Sequence, residues 1–331
     1  MIQHFRFGSP IRTDSVVQDI PVSSDAVPFL TADADGWVYT MAPDAIVYGL
    51  GEMPRGINKR GWHYVANNTD ESHHGENKVS YYGAHNFLLI DGGPGGDLFG
   101  VFVDFPGKVH YDIGYTVHDT LRFATEEPDY ELYILTGADL NDIAHQFRQL
   151  IGRSYIPPKW AFGLQQSRWG YKTAEDVREV ARQYKENDLP LDMICMDIDY
   201  MQDYADFTIN KERFPDLAAL AAELKAQGIR LVPIIDAGVR IDPEEPTCTE
   251  GLEKGYFCKK EDGTPFVAAV WPGKAYFADF LRPEVRAWFG HRYKVLTDCG
   301  IEGFWNDMNE PALFYSPDRL KAFLDSMHEL R

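Results

Sequence analysis

Three apolar stretches in the second half of the sequence end in carboxylates. Asp197 and Asp199 close the first stretch, Asp236 closes the second, and Asp307 closes the third. Carboxylates that converge on one place can act as nucleophile, acid or base, and they accept hydrogen bonds from hydroxyl groups. A single aspartate of this kind is as often a helix cap or a turn residue, but three at equivalent positions favour a functional site.

Two tryptophans accompany these carboxylates. Trp169 follows the apolar stretch 161–167, and Trp305 lies two residues before Asp307. Trp305 by itself would more often be a core residue. An indole, however, offers a flat apolar face that suits the CH side of a pyranose ring, while carboxylates suit its hydroxyl groups. The combination predicts a sugar-binding pocket.

The apolar stretches alternate with helical patterns, which predicts a parallel sheet. Strands are predicted at 161–167, 191–198, 230–236 and 301–305. Helices are predicted to start at the capping box Thr173–Asp176 and at Pro215-Asp216, a third to cover 283–300, and a long loop to follow residue 236. Strands that are apolar on both faces and alternate with helices are typical of α/β folds such as the (β/α)₈ barrel. Active sites of such barrels lie at the carboxyl ends of the strands.

Residues 1–153 follow a different pattern, with short alternating or apolar runs separated by Gly, Pro and Asp. These runs cover 37–41, 46–51, 86–91, 98–105 and 130–137. Their spacing predicts an antiparallel β-sandwich, closed by an amphipathic helix over 138–152. We therefore predict a β-sandwich domain at 1–153 and the first four βα units of a TIM barrel at 154–331, with a fourth helix beginning in the last residues.

Composition excludes several classes of partner. Thirty-two Lys+Arg against 51 Asp+Glu give a net charge of −19, which repels nucleic-acid phosphates and anionic membranes. No signal peptide and no membrane-spanning stretch is evident. The four cysteines show no metal spacing, and His73-His74 with Glu76 is better explained as a solvated loop. The sequence predicts a cytoplasmic, disulfide-free protein without a metal or other cofactor, and leaves its oligomeric state open.

Eight segments, taken together, resemble glycoside hydrolase family 31, the α-glucosidase and α-xylosidase family, and look most similar to α-glucosidases of gut Firmicutes. They are YGLGE (48–52), NNTDE (67–71), FGLQQSRWGY (162–171), MDIDYM (196–201), DFTIN (206–210), FP (214–215), VWPG (270–273) and GFWNDMNEPA (303–312). The most specific is WNDMNE, which resembles the family's nucleophile signature. The segments run in order through nearly the whole chain.

The resemblance implies a retaining mechanism in which Asp307 is the nucleophile of a covalent glycosyl-enzyme intermediate. It implies that Asp197 binds sugar hydroxyls and that Asp70 lies on a loop of the first domain that helps to close the site. The other pocket positions that it implies, together with Trp169, are Ile198, Ile234, Asp236, Trp271, Trp305, Met308 and Phe314.

The family's acid/base aspartate belongs to the second half of the barrel, so the resemblance places it beyond residue 331. The remaining barrel strands are expected in the same gene product or in a partner chain. The expected activity is exo-hydrolysis of α-linked gluco-oligosaccharides of the isomaltose or maltose type. An α-xylosidase remains an alternative, as does a non-catalytic sugar-binding relic, although a relic has no reason to keep a nucleophile.

Overall fold

A computed structural model describes residues 1–316, and the chain divides into two compact units, Met1–Tyr155 and Ile156–Arg331. The sequence-based domain boundary, residue 153, lies two residues before this division. The predicted fourth barrel helix lies outside the described residues. None of the helices within 1–316 is long and apolar enough to cross a membrane.

The first unit contains two five-stranded antiparallel sheets, in the orders β1-β10-β7-β6-β4 and β2-β3-β9-β8-β5. Its strands are β1 (Ile2–Phe7), β2 (Leu30–Asp33), β3 (Gly36–Thr40), β4 (Ile46–Gly51), β5 (Trp62–Ala66), β6 (Ala84–Asp91), β7 (Leu98–Asp104), β8 (Val109–Ile113), β9 (Thr120–Thr125) and β10 (Tyr130–Thr136).

One apolar core lies between these sheets, because alternate residues of each strand point into it. Leu88 and Val101 come from one sheet, and Tyr39 and Leu121 come from the other, and all four are buried. The helix α1 (Leu140–Leu150) begins at Asp139, whose side chain accepts a hydrogen bond from the Asp142 N–H. It packs on the opposite face of the first sheet through a second apolar cluster. The predicted sandwich is confirmed.

The described part of the second unit contains a parallel sheet whose strand order is the chain order, β11-β12-β13-β17. These strands are β11 (Gln165–Arg168), β12 (Met193–Met196), β13 (Arg230–Ile235) and β17 (Trp305–Asn306). The connecting helices are α2 (Ala174–Glu186), α3 (Leu217–Ala226), α4 (Pro246–Glu253), α5 (Pro283–Arg292) and α6 (Lys294–Thr297). Parallel strands joined in chain order through helices are the arrangement of a partial TIM barrel, as the sequence predicts.

All four barrel strands are shorter than predicted, β13 by one residue and the other three by more. Lys159–Phe162 forms a 3₁₀ helix, so β11 starts only at Gln165. The Asp197 carboxylate accepts the Ile198 N–H at 2.8 Å and begins another 3₁₀ turn, which ends β12 at Met196. The strand β17 is limited to the two residues that pair with Ile234 and Ile235.

The predicted long loop after residue 236 is wrong, because this segment is folded. It contains α4 and a three-stranded antiparallel sheet in the order β14-β16-β15. Its strands are β14 (Gly238–Arg240), β15 (Val267–Val270) and β16 (Gly273–Phe277). The strands are three to five residues long, too short to give a periodic pattern.

Candidate active site

Three predicted carboxylates lie at the same edge of the parallel sheet. Asp197, Asp236 and Asp307 each follow the last residue of a strand, β12, β13 and β17. The register pairs Met196 with Pro233 and Ile235 with Asn306. The N–H of Asp307 extends the ladder by donating to the Ile235 carbonyl at 3.0 Å. The backbone ladder therefore holds the proposed nucleophile position beside Asp236.

The charges of these carboxylates act on one another. Burial, with the charges of Asp206, Asp307 and Asp197 acting in the same direction, raises the pKa of Asp236 to about 8. The pKa of Asp197 is also raised, first by burial and then by Asp307 and Asp199. Neither carboxylate oxygen of Asp236 has a hydrogen-bond partner within residues 1–316, although the residue is only 2% exposed. Buried acceptors without donors suit a ligand that carries hydroxyl groups.

Asp199, the fourth strand-end carboxylate, has another environment. Asp199 lies within the 3₁₀ turn Ile198–Tyr200, so it does not directly follow the strand β12 as Asp197 does. One of its oxygens lies 3.3 Å from an Arg213 guanidinium nitrogen, so this buried carboxylate has a protein cation as a partner. We assign Asp199 a supporting ion pair rather than a ligand contact.

Three exposed aromatic rings form one continuous surface. Trp169 follows β11, Trp271 lies in the turn between β15 and β16, and Phe314 follows β17. The rings of Trp169 and Trp271 are 5.9 Å apart between centroids, and those of Trp271 and Phe314 are 4.8 Å apart, edge to face. They are 60%, 41% and 53% exposed. Large rings held together in water are suited to contact the apolar faces of sugars.

Backbone hydrogen bonds hold two of these rings together. The Phe314 N–H donates to the Ala269 carbonyl at 3.0 Å, and the Ala269 N–H donates to the Tyr315 carbonyl at 2.6 Å. The hairpin that carries Trp271 is thereby fixed to the segment that follows Asp307. Sequence reasoning named both rings from the resemblance but gave no reason for their contact, because the hairpin was predicted as loop.

The remaining predicted pocket residues of this unit lie around the strand ends. Ile198 and Ile234 are each 1% exposed and belong to the core, and the Tyr200 hydroxyl donates to the Ile234 carbonyl at 2.8 Å. Trp305 is half-buried against the apolar clusters on both sides of the sheet. Met308 adopts a left-handed backbone with φ of 61°, which turns the chain directly after Asp307.

Asp70 lies in the first unit, in the loop between β5 and β6, and is exposed. Bonds on both sides define its loop: the Thr69 N–H donates to the Tyr81 carbonyl at 3.0 Å, and Lys78 pairs with Glu71 at 2.6 Å. The role that the resemblance gives to Asp70 stays a prediction. Within residues 1–316, no group of three His, Cys, Asp or Glu side chains is arranged to hold a metal ion.

Sequence reasoning missed Asp206 as an individual residue. It is 4% exposed, and burial raises its pKa to about 7. Its carboxylate accepts the backbone N–H of Asp236 at 3.0 Å. The segment DFTIN was noticed for its resemblance only, because nothing in the local sequence shows that this aspartate meets a residue thirty positions later.

Two family models match the chain. The glycosyl hydrolases family 31 TIM-barrel domain matches residues 154–329, and the glycosyl hydrolase 31 N-terminal galactose mutarotase-like domain matches residues 21–112. The boundary of the first match falls beside the division between the two units. Together the matches cover both sheets of the sandwich in part and the whole described half-barrel.

Named proteins with related sequences include α-glucosidases and an α-xylosidase. Alpha-glucosidase 2 of Bacillus thermoamyloliquefaciens is 42% identical over 81% of this chain and 34% of its own length. Alpha-xylosidase 1 of Arabidopsis thaliana is 31% identical over 84% of this chain and 31% of its own length. The chain thus spans about a third of the length of these relatives.

A solved structure shares the fold. The family 31 dextranase of Flavobacterium johnsoniae, in a complex with isomaltotriose, has a TM-score of 0.78 and 25% identity. That likeness covers 89% of this chain and 36% of the dextranase chain. The TIM-barrel model matches more than half of the 331 residues, and the chain belongs to glycosyl hydrolase family 31.

Proposed function

We propose that the full-length protein is a retaining, exo-acting α-glucosidase that releases glucose from short α-linked oligosaccharides. The observation that carries this proposal is the position of Asp307, held by the β13 ladder beside Asp236 and within the electrostatic reach of Asp197. The α-glucosidase relative at 42% identity supports the same activity.

In the proposed reaction, an Asp307 oxygen attacks the anomeric carbon while the glycosidic C–O bond breaks. A carboxylic acid, which we place beyond residue 331, donates its proton to the leaving oxygen. Water activated by the resulting carboxylate then attacks the anomeric carbon, releases Asp307, and returns the proton to the acid. Two displacements at the same carbon retain the α-configuration.

Asp197 and Asp236 have the chemistry to hold the glucose ring during both steps. Their raised pKa values reflect burial, with no described cation near Asp236 that would stabilise its charged form. Sugar hydroxyl groups supply the missing hydrogen-bond partners, and hydrogen bonds that strengthen as positive charge develops on the sugar favour the transition state.

The aromatic surface of Trp169, Trp271 and Phe314 has the properties required to contact the leaving sugar. It is apolar and exposed, and its first member, Trp169, directly follows the barrel strand β11. The isomaltotriose complex of the dextranase supports α-1,6-linked oligosaccharides as one substrate class, beside maltose-type substrates. An α-xylosidase is a second candidate, supported by the plant relative named for that activity.

The test uses the full-length protein with Asp307→Ala, and with Asp298→Ala as a matched control. Asp298 is an exposed residue paired with Lys294. The nucleophile variant should lose several orders of magnitude in kcat on 4-nitrophenyl α-glucoside, and added azide should restore turnover and give β-glucosyl azide. The control should stay at the wild-type rate.

Product analysis tests the remaining parts of the proposal. Proton NMR of the first turnovers should show α-glucose, whereas β-glucose would contradict retention. A wild type that prefers 4-nitrophenyl α-xyloside would favour the α-xylosidase instead. An Asp307→Ala variant with a tenth of the wild-type kcat would overturn the assignment of the nucleophile.

A further inference from the structure

Asp206 joins two buried segments of the second unit. It lies in the loop between the 3₁₀ turn Ile198–Tyr200 and α3, and its carboxylate oxygen Oδ1 accepts the Asp236 N–H. The neighbouring Ala237 N–H makes a smaller contribution, which lowers the pKa of this carboxyl group. The second oxygen, Oδ2, has no hydrogen-bond partner within residues 1–316. The carboxylate thus faces the amides at the end of β13, and it is hydrogen-bonded to that of Asp236.

These amides lie where the chain leaves the parallel sheet. Asp236 follows β13, and β14 of the antiparallel sheet begins at Gly238. Ala237 between them has φ of 57°, a left-handed backbone conformation that is unfavourable for alanine. Amides in such a turn have no ladder partner, and buried amides need an acceptor. The Asp206 carboxylate supplies that acceptor and holds the turn.

The loop that carries Asp206 is itself fixed. The Gln202 N–H donates to the Thr208 hydroxyl oxygen at 2.9 Å, and that hydroxyl donates to the Ala205 carbonyl at 2.5 Å. Phe207 packs edge to face on Phe289 and Tyr293. Asp206 is therefore a stationary group, so its hydrogen bonds transmit a defined position to Asp236.

We propose that Asp206 is a positioning residue, which fixes the backbone of Asp236 so that the Asp236 carboxylate is aimed at a sugar hydroxyl group. The inference rests on the proposed function. Because the Asp236 oxygens have no partner of their own in the described part of the chain, the direction of this side chain is set from its backbone. The acceptor oxygen of Asp206, and not its charge, is the property that the role requires.

This distinction separates Asp206→Asn from Asp206→Ala. Asparagine keeps an acceptor oxygen at the same distance and removes the charge, whereas alanine removes the acceptor. Asp203 gives a matched control: it belongs to the same loop, is largely exposed, and pairs with Arg240 at 3.2 Å. Asp203→Asn makes the same chemical change as Asp206→Asn without touching Asp236, and asparagine tolerates the left-handed backbone of residue 203 (φ of 49°).

The experiment measures kcat and KM on maltose and isomaltose in the full-length protein, with calorimetric binding of 1-deoxynojirimycin and the melting temperature of each variant. Asp206→Ala should raise KM and the inhibitor Kd by about tenfold to a hundredfold, as expected when a binding group is displaced by about an ångström. Asp206→Asn should remain within about threefold of wild type, and Asp203→Asn should match wild type.

If the wild type is active, either of two results would overturn this inference without contradicting the proposed function. One is an Asp206→Ala protein that is folded at the assay temperature and binds substrate and inhibitor like wild type. The other is an Asp206→Asn protein that loses tenfold or more in binding, and this result decides the matter even if the alanine variant does not fold. A wild type that neither hydrolyses an α-glucoside nor binds 1-deoxynojirimycin overturns the proposed function and this inference together.

Discussion

The two units treat a buried carboxylate in opposite ways. In the sandwich, Asp104 is half-buried and burial raises its pKa, but Thr13 donates its hydroxyl to that carboxylate at 2.7 Å. In the half-barrel, Asp236 is buried with both oxygens unpartnered among residues 1–316, and Asp206 keeps one oxygen unpartnered. A buried group without donors destabilises the fold. Such a group is kept where a ligand supplies the missing partners.

The same contrast extends to other polar groups. In the sandwich, Asp33 pairs with Arg122 at the surface, and the two hydrogen bonds of this pair lower the pKa of Asp33 to about 2. The unpartnered buried side-chain atoms of the sandwich belong to neutral amide and phenol groups and to one histidine, whereas those of the half-barrel are mostly carboxylate oxygens. They are atoms of His4, Tyr64, Asn86 and Tyr111 in the first unit, and of Asp199, Asp206, Asp236 and Trp288 in the second, within residues 1–316. We infer that the sandwich is optimised for stability and the half-barrel edge for binding.

The largest expected effect in this comparison is on the stability of the sandwich. Leu121 is fully buried in its core, and Leu121→Ala leaves a cavity, so the free energy of unfolding should fall by about 2–5 kcal/mol. Below its melting temperature, the folded variant should keep the wild-type KM. A urea titration and a kinetic assay check both parts, and a large rise in KM would contradict the separation of roles.

A second effect concerns pH and Asp236. Because the folded pKa is raised to about 8 while the unfolded value is about 4, the folded state holds a proton that the unfolded chain releases. Stability from this group is present below about pH 4 and is lost as pH rises toward 8, at up to about 1.4 kcal/mol per pH unit. Asp236→Asn should flatten that loss. Urea unfolding without ligand between pH 5 and 8 measures it, and identical slopes in both proteins would contradict it.

A third effect compares two exposed tryptophans, one in each unit. Trp169 is part of the aromatic surface, whereas Trp62 on the sandwich lies under the Arg55 guanidinium at 4.2 Å. Trp169→Ala should lower kcat/KM for disaccharides by about tenfold to two-hundredfold, because steric and apolar contacts with a substrate contribute about 1–3 kcal/mol. Trp62→Ala should leave kcat/KM unchanged. Equal losses in the two variants would remove the distinction.

The smallest effect is expected for Arg122→Gln. The Arg122 and Asp33 side chains are 33% and 46% exposed, and ion pairs that are accessible to solvent contribute little to stability and less as salt rises. The urea midpoint of the full-length protein should therefore be unchanged within error at high salt. A marked loss of stability there would show that surface charges of the sandwich matter more than its buried groups.

The parts of the fold that repeat a local pattern were predictable from the sequence. The strand β4 covers Ile46–Gly51, as the apolar run predicts, and the Thr173–Asp176 capping box starts α2 through both of its hydrogen bonds. Strand order in the half-barrel followed from the alternation of strands and helices, the ends of the predicted strands gave the positions of Asp197, Asp236 and Asp307, and the resemblance supplied their expected roles. Local propensity and hydrophobic period suffice for such elements.

The parts that depend on distant partners were not predictable. The hairpin of β15 and β16 is held by Tyr315, more than forty residues after Ala269. The contact that sets Asp206 apart is its hydrogen bond from the N–H of Asp236, thirty positions later in the chain. The local sequence around these residues contains no pattern that indicates either contact. The short strands were therefore predicted as loop, and Asp206 has the pattern of an ordinary turn residue.

The antiparallel sheet between β13 and β17 offers a way to transplant specificity. Gly238 pairs with Phe277, so both ends of this insertion lie side by side at the barrel edge. A replacement from another family member must match this pair of junction residues and the buried Val239, Cys248 and Phe257, which belong to the core of the second unit. The Ala269–Tyr315 bridge sets how long its hairpin has to be. Within these limits segment 238–277, with Trp271 in its hairpin turn, is exchangeable, and chimaeras built on it would change the aromatic surface while leaving the strands that end at Asp197, Asp236 and Asp307 in place.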